Sequence, residues 1–118
     1  MKLKLLNIVN ATPALRMLGA EKMPIRVAYN IQRNIRLLAV ETATYEKIRQ
    51  DLIKNKYGKK TNESFTVTAE NMEAFTAEMD KLGQEEIDMD VHTVNLSDFG
   101  DIKVSPNELQ SLDWMFVE

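Results

Sequence analysis

The sequence predicts an α+β fold, mostly helical, with one long central helix or a helical hairpin and a small antiparallel β-sheet. Three observations carry this. Apolar residues recur at three- and four-residue steps from Pro24 to Tyr57, apolar and acidic residues alternate over Glu86 to Asn95, and proline and glycine punctuate the chain at helix-boundary positions. A length of 118 residues, 44% of them hydrophobic and 28% charged, is that of a single domain spanning residues 1–118 and able to bury a core.

Taken in order, Leu3 to Val9 is a short apolar run that fits a strand or a helical turn equally. Thr12-Pro13 has the form of an N-cap followed by proline at the first helical position, opening a short helix with Leu15 and Leu18 on one face before Gly19. Pro24 opens the long pattern. Ile25, Ala28, Ile31, Ile35, Leu38, Thr42, Tyr45, Ile48 and Leu52 form its stripe, and Gly58 is placed to stop it in the left-handed conformation. A continuous helix of this span is about 50 Å long, more than a compact domain of this size is wide. It must therefore break near Glu41 to Thr44 or project beyond the core and meet a partner.

Lys59 to Ser64 reads as a polar connection and Phe65-Thr66-Val67 as a short strand. Thr68 can cap a helix carrying Met72, Phe75, Met79 and Leu82. Ile87, Met89 and Val91 then alternate with Asp88, Asp90 and His92, the pattern of a strand buried on one side. The turn residues Ser97 to Asp101 suggest that Ile102-Lys103-Val104 returns as a hairpin partner. Ser105-Pro106-Asn107-Glu108 has capping-box spacing, and Leu109, Leu112, Met115 and Phe116 mark the buried stripe of a final helix.

Charge is divided unevenly. Residues 1–62 hold thirteen Lys/Arg against four Asp/Glu, whereas residues 63–118 hold two against fourteen. Such a division signals a charged partner or halves that neutralise each other in the fold. Arg16, Lys22, Arg26, Arg33 and Arg36, with a second group at Lys54, Lys56, Lys59 and Lys60, permit nucleic-acid binding as one reading, but the overall balance of −3 and an aromatic content of 7% weigh against it, and a solvated helix face partly paired with the acidic half explains them more simply. The acidic half could instead occupy a basic groove on another protein. Without cysteine there is neither a disulfide framework nor a thiolate zinc site. Asp88, Asp90 and His92, with Glu86, could share one face of a strand and hold a hard cation, yet a solvated edge explains them more simply. One histidine and no G-x-S-x-G elbow leave no nucleophilic constellation, and Gly58-Lys59-Lys60-Thr61 lacks the spacing of a phosphate loop. The expectation is a non-enzymatic protein with no cofactor and no metal.

The first residues contain no unbroken apolar run of signal-peptide length, and no stretch reaches the length of a membrane span, so the expected compartment is the cytosol. Tyr29, Tyr45, Met23, Trp114 and Phe116 are the residues that would serve as exposed anchors if they do not reach the core. The candidate partner-binding residues are Arg26, Tyr29, Arg33, Arg36, Asp88, Asp90 and Trp114.

The segments LLNIVNATPALRMLGAEKMPIRVAYNIQRNI, YEKIRQDLIKNKYG and EEIDMDV with DFGDIKVSPNELQSLDWM resemble, in their order and short motifs, a family of small phage and prophage proteins. The resemblance implies a product of the host bacterial cytosol and supplies no catalytic residues. It points to an accessory protein that binds a host or phage protein, as an inhibitor of a bacterial defence or other host protein. The alternatives are an assembly factor or minor virion component, a nucleic-acid-binding protein, and self-association into a homo-oligomer.

Overall fold

In a computed structural model that describes residues 1–62 and 64–117, the fold is α+β and dominated by helix. The chain begins with β1 (Lys2–Lys4) and α1 (Leu5–Leu18), and continues into the long α2 (Ile25–Leu52), which ends in a π turn at Ile53–Tyr57. A hairpin of β2 (Gly58–Thr61) and β3 (Ser64–Val67) follows, then α3 (Met72–Gly83), β4 (Glu86–Asp88) and β5 (Val94–Asn95). A 3₁₀ turn at Leu96–Phe99, α4 (Pro106–Ser111), a second 3₁₀ turn and β6 (Phe116–Val117) complete it. Glu63, inside the connection expected at Lys59 to Ser64, lies outside the described residues.

The first helix starts earlier than its proline suggests. Leu5, Ile8, Ala11, Thr12, Leu15 and Leu18 are buried at helical spacing, so burial of this stripe carries the helix straight through Pro13. Pro13 is exposed, and its missing N–H leaves the Val9 carbonyl without its helical partner. Thr12 is an interior residue rather than a cap. Its hydroxyl donates to the Ile8 carbonyl at 2.9 Å and meets the Thr42 hydroxyl of α2 at 2.9 Å.

Helix α2 does not break at Glu41 to Thr44. Its buried residues are Val27, Ile31, Asn34 and Leu38, all in its first half, where it packs on α1. The expected stripe is thus rotated, and Ile25, at its head, is 88% exposed. The second half of α2 leaves the main core, and the molecule measures 50 × 29 × 23 Å as a result. Burial resumes only at Ile53 and Tyr57, where Tyr57 meets Phe75 of α3 edge-to-face at 6.1 Å. Gly58 follows in extended conformation (φ −103°), not left-handed. Glycine is needed there because a Cβ would overlap the carbonyl oxygen of Ile53.

Across this junction Lys56 reaches Glu78 of α3 at 2.8 Å. That hydrogen bond is the main reason the Lys56 ammonium is held above its ordinary range and the Glu78 carboxyl below its own. Asn71 precedes α3 and its amide donates to the Tyr57 carbonyl at 3.1 Å, whereas Thr68, the expected cap, has a buried hydroxyl without a hydrogen-bond partner.

The strands pair in ways that the local sequence does not announce. β4 joins β1 antiparallel, with Leu3 opposite Ile87 and Lys4 opposite Glu86, while β2 and β3 pair with each other and β5 runs parallel to β6. Ile102 to Val104 forms no strand, so the expected return hairpin is replaced by these longer-range pairings. The C-terminal cap is as read: Ser105 Oγ accepts from the Glu108 N–H at 3.1 Å with Pro106 at the first helical position. Leu112 and Met115 are fully buried, but Leu109 faces outward at 38% exposure.

Asn34 occupies the centre of the core and is completely buried. Its carboxamide donates to the His92 carbonyl and accepts from the His92 N–H, each at 2.8 Å. The Met115 sulfur is 3.7 Å from the same amide nitrogen. A helix side chain thus supplies the two hydrogen bonds that a neighbouring strand would supply.

Two stability changes follow. Replacing Asn34→Leu strands the His92 N–H and carbonyl and is expected to lower unfolding free energy by about 2–4 kcal/mol in urea titration. Pro13→Ala restores the Val9 hydrogen bond at the expense of a freer unfolded chain, and a gain of roughly 1–2 kcal/mol should appear in the same assay.

Candidate functional site

The face of α2 opposite its buried residues carries Tyr29, Arg33, Arg36 and Val40. Tyr29 and Arg33 are one turn apart, and the guanidinium carbon sits 5.7 Å from the ring centroid, a cation–π distance that orients both groups outward together. Facing this wall is the segment 88–90. Met89 is buried in the main core, so its neighbours Asp88 and Asp90 are turned to solvent by the alternation of an extended chain. The backbone continues the β1–β4 ladder here: the Met89 N–H donates to the Met1 carbonyl at 2.8 Å.

Between the walls lies a groove of about 650 Å³, lined by those six residues together with Leu37, Glu41 and the side of Met89. Five of the seven residues singled out in the sequence, Tyr29, Arg33, Arg36, Asp88 and Asp90, therefore converge. Arg26 is elsewhere, on a smaller hollow shared with Asn30, Thr93 and Asp98. Trp114 is half-buried against the core beside Leu3, Asn7 and Asn10, and its indole N–H donates to the Ser111 carbonyl at 2.9 Å. Of the other aromatic and methionine candidates, Met23 and Phe116 pack against the core, Tyr45 is half-buried and Tyr29 is 58% exposed.

The groove's charges remain solvated. Among the described residues the ion pairs within 4.0 Å are Arg49–Glu46, Lys56–Glu78 and the Met1 amino group with Asp88 at 3.2 Å. Among the described residues Arg33 and Arg36 have no carboxylate within 4.0 Å although Asp88 and Asp90 share their groove, and Lys56–Glu78 is the one side-chain pair there joining the basic and acidic parts of the chain. No group of three or more His, Asp or Glu side chains among the described residues is placed to hold a metal ion. His92 has its Nε2 buried without a hydrogen-bond partner, whereas Asp88 and Asp90 are exposed.

Sequence reasoning passed over four contributors. Leu37, Val40 and Met89 supply the apolar part of the groove, and Asn34 holds the acidic segment in place from behind. An asparagine between Ile31 and Leu38, in phase with them, was the available signal, because a polar residue on a buried stripe needs a specific partner.

No family model matches the chain, and neither a curated protein nor a solved structure matches it. No described helix is long and apolar enough to cross a membrane. The fold is that of a mostly helical α+β protein with a groove of mixed charge on one side of α2.

The two faces of α2 should separate cleanly in mutagenesis. Leu38→Ala, at a fully buried site, is expected to cost about 2–5 kcal/mol, while Val40→Lys, at 66% exposure, should change stability by no more than about 0.5 kcal/mol by thermal or urea unfolding.

Proposed function

We propose that this protein acts without catalysis, by binding another protein along the outer face of α2, and that it is a phage accessory protein that restrains a host protein. The observation that carries the binding reading is the mixture on that face: Ile25, Tyr29 and Val40 are 88%, 58% and 66% exposed and are interleaved with two arginines that have no carboxylate within 4.0 Å among the described residues. Exposed apolar and aromatic residues beside unpaired guanidiniums are the composition of recognition surfaces, in which a few such anchors dominate affinity.

The chemistry specifies the partner's surface. Arg33 and Arg36 suit carboxylates set among apolar side chains, because guanidinium binds carboxylate in a planar fork. Asp88 and Asp90, on the opposite wall, repel an acidic segment placed in the wrong register and favour a basic group there. The phage and host assignment is supported by the motif resemblance described above.

The reading is tested by placing a photo-crosslinking amino acid at Val40 and, as a control, at Lys103, in protein expressed in infected bacteria. One host protein should crosslink at near-equal stoichiometry from Val40 only. The purified pair should then lose at least about tenfold in affinity with Arg33→Glu/Arg36→Glu, a change of roughly 1.4 kcal/mol or more. Crosslinks confined to phage structural proteins would replace restraint of a host protein with a role in assembly. Crosslinks to the protein itself alone, or the same products from Lys103, would overturn the reading.

A further inference from the structure

A second charged surface lies on the β2–β3 hairpin, away from the groove. The hairpin packs on the π turn at the C-terminal end of α2, beyond the half of the helix that enters the main core. Its register puts Lys60 directly opposite Phe65 and Lys59 opposite Thr66. Residues directly opposite in an antiparallel pair share a face, so Lys60 and Phe65 lie side by side. From the π turn, the Lys54 ammonium comes to 6.0 Å from the Phe65 ring centroid. Phe65 is 37% exposed and has no aromatic neighbour among the described residues.

The lysines here differ in their partners. Lys56 is engaged by Glu78, but Lys54, Lys59 and Lys60 have no carboxylate within 4.0 Å among the described residues. A part-exposed ring with one ammonium group near it and a lysine directly across the strand pair combines a stacking surface with phosphate-binding charge, the two kinds of contact that a single-stranded nucleotide offers through its base and its phosphates. An acidic peptide would use the lysines and leave the ring unemployed. A duplex would use the lysines while keeping its bases stacked within itself.

We propose that the β2–β3 hairpin is a binding site for single-stranded nucleic acid, in which Phe65 stacks on a base and Lys54, Lys60 and Lys59 contact phosphates.

The test is fluorescence anisotropy of the full chain with a labelled twelve-nucleotide oligothymidylate, a duplex of the same length, and polyglutamate as competitor, at 50 and 200 mM salt. The single strand should bind and weaken as salt rises. Phe65→Ala should weaken it roughly 5- to 150-fold, the range of one base–aromatic stack. Phe65→Leu, which keeps an apolar side chain in the strand, should lose as much, and Phe65→Tyr should retain binding, which separates stacking from collapse of the hairpin. Lys54→Gln/Lys60→Gln should flatten the salt dependence by about 1.4 in logarithmic slope. Absence of an anisotropy change at 50 mM salt, equal binding of the duplex, full displacement by polyglutamate at matched charge, or an unaffected Phe65→Leu variant would each overturn the proposal.

Discussion

The arrangement depends on the paired hydrogen bonds between Asn34 and the backbone of His92. Between β4 and β5 the chain runs without regular structure through the interior edge of the molecule, and its peptide groups need partners there as much as in any strand. Only a carboxamide both donates and accepts in the geometry of a facing peptide, which is why asparagine rather than a larger or charged residue stands on the buried stripe of α2. The contact is made where Ile31, Leu38 and Met115 exclude water, so loss of either bond leaves an unsolvated group behind. By fixing the segment behind Asp90, Asn34 sets the distance between the acidic wall and the arginines of α2. The groove is a consequence of a core hydrogen bond.

A second constraint is the length of α2. Its apolar residues suffice to bury one half against α1 and the C-terminal elements, and the other half is carried outward until Ile53 and Tyr57 find a small satellite core with α3. The π turn absorbs the change of phase between these two cores, and Gly58 lets the chain leave it where any Cβ would collide with the turn. The molecule consequently presents two distinct surfaces, a groove beside the main core and a basic hairpin at the far end. They share no residues.

The fold brings the basic and acidic parts of the chain side by side with few close ion pairs among the described residues. Cross-strand register sets Lys2 against Asp88 and Lys4 against Glu86, which favours the β1–β4 pairing without a close ion pair between those side chains. Solvated surface pairs contribute little to stability, so the fold loses little by leaving most charges apart.

The sequence by itself determined the fold class, the unbroken long helix as one of two alternatives, the capped final helix, and the alternation that turns Asp88 and Asp90 outward, because each of these rests on local periodicity or capping chemistry. It also marked five residues that meet in the groove. Only the tertiary structure decided that Leu5 to Leu18 is one helix through Pro13, that β4 pairs with the N-terminal strand instead of a return hairpin, that α2 turns Val27 rather than Ile25 inward, and that Arg26 and Trp114 lie apart from the other candidates. These outcomes depend on which apolar face finds cover from distant segments, and on hydrogen bonds such as Asn34 to His92 that join residues fifty-eight positions apart. No local window of the chain contains both partners, so no periodicity could announce them.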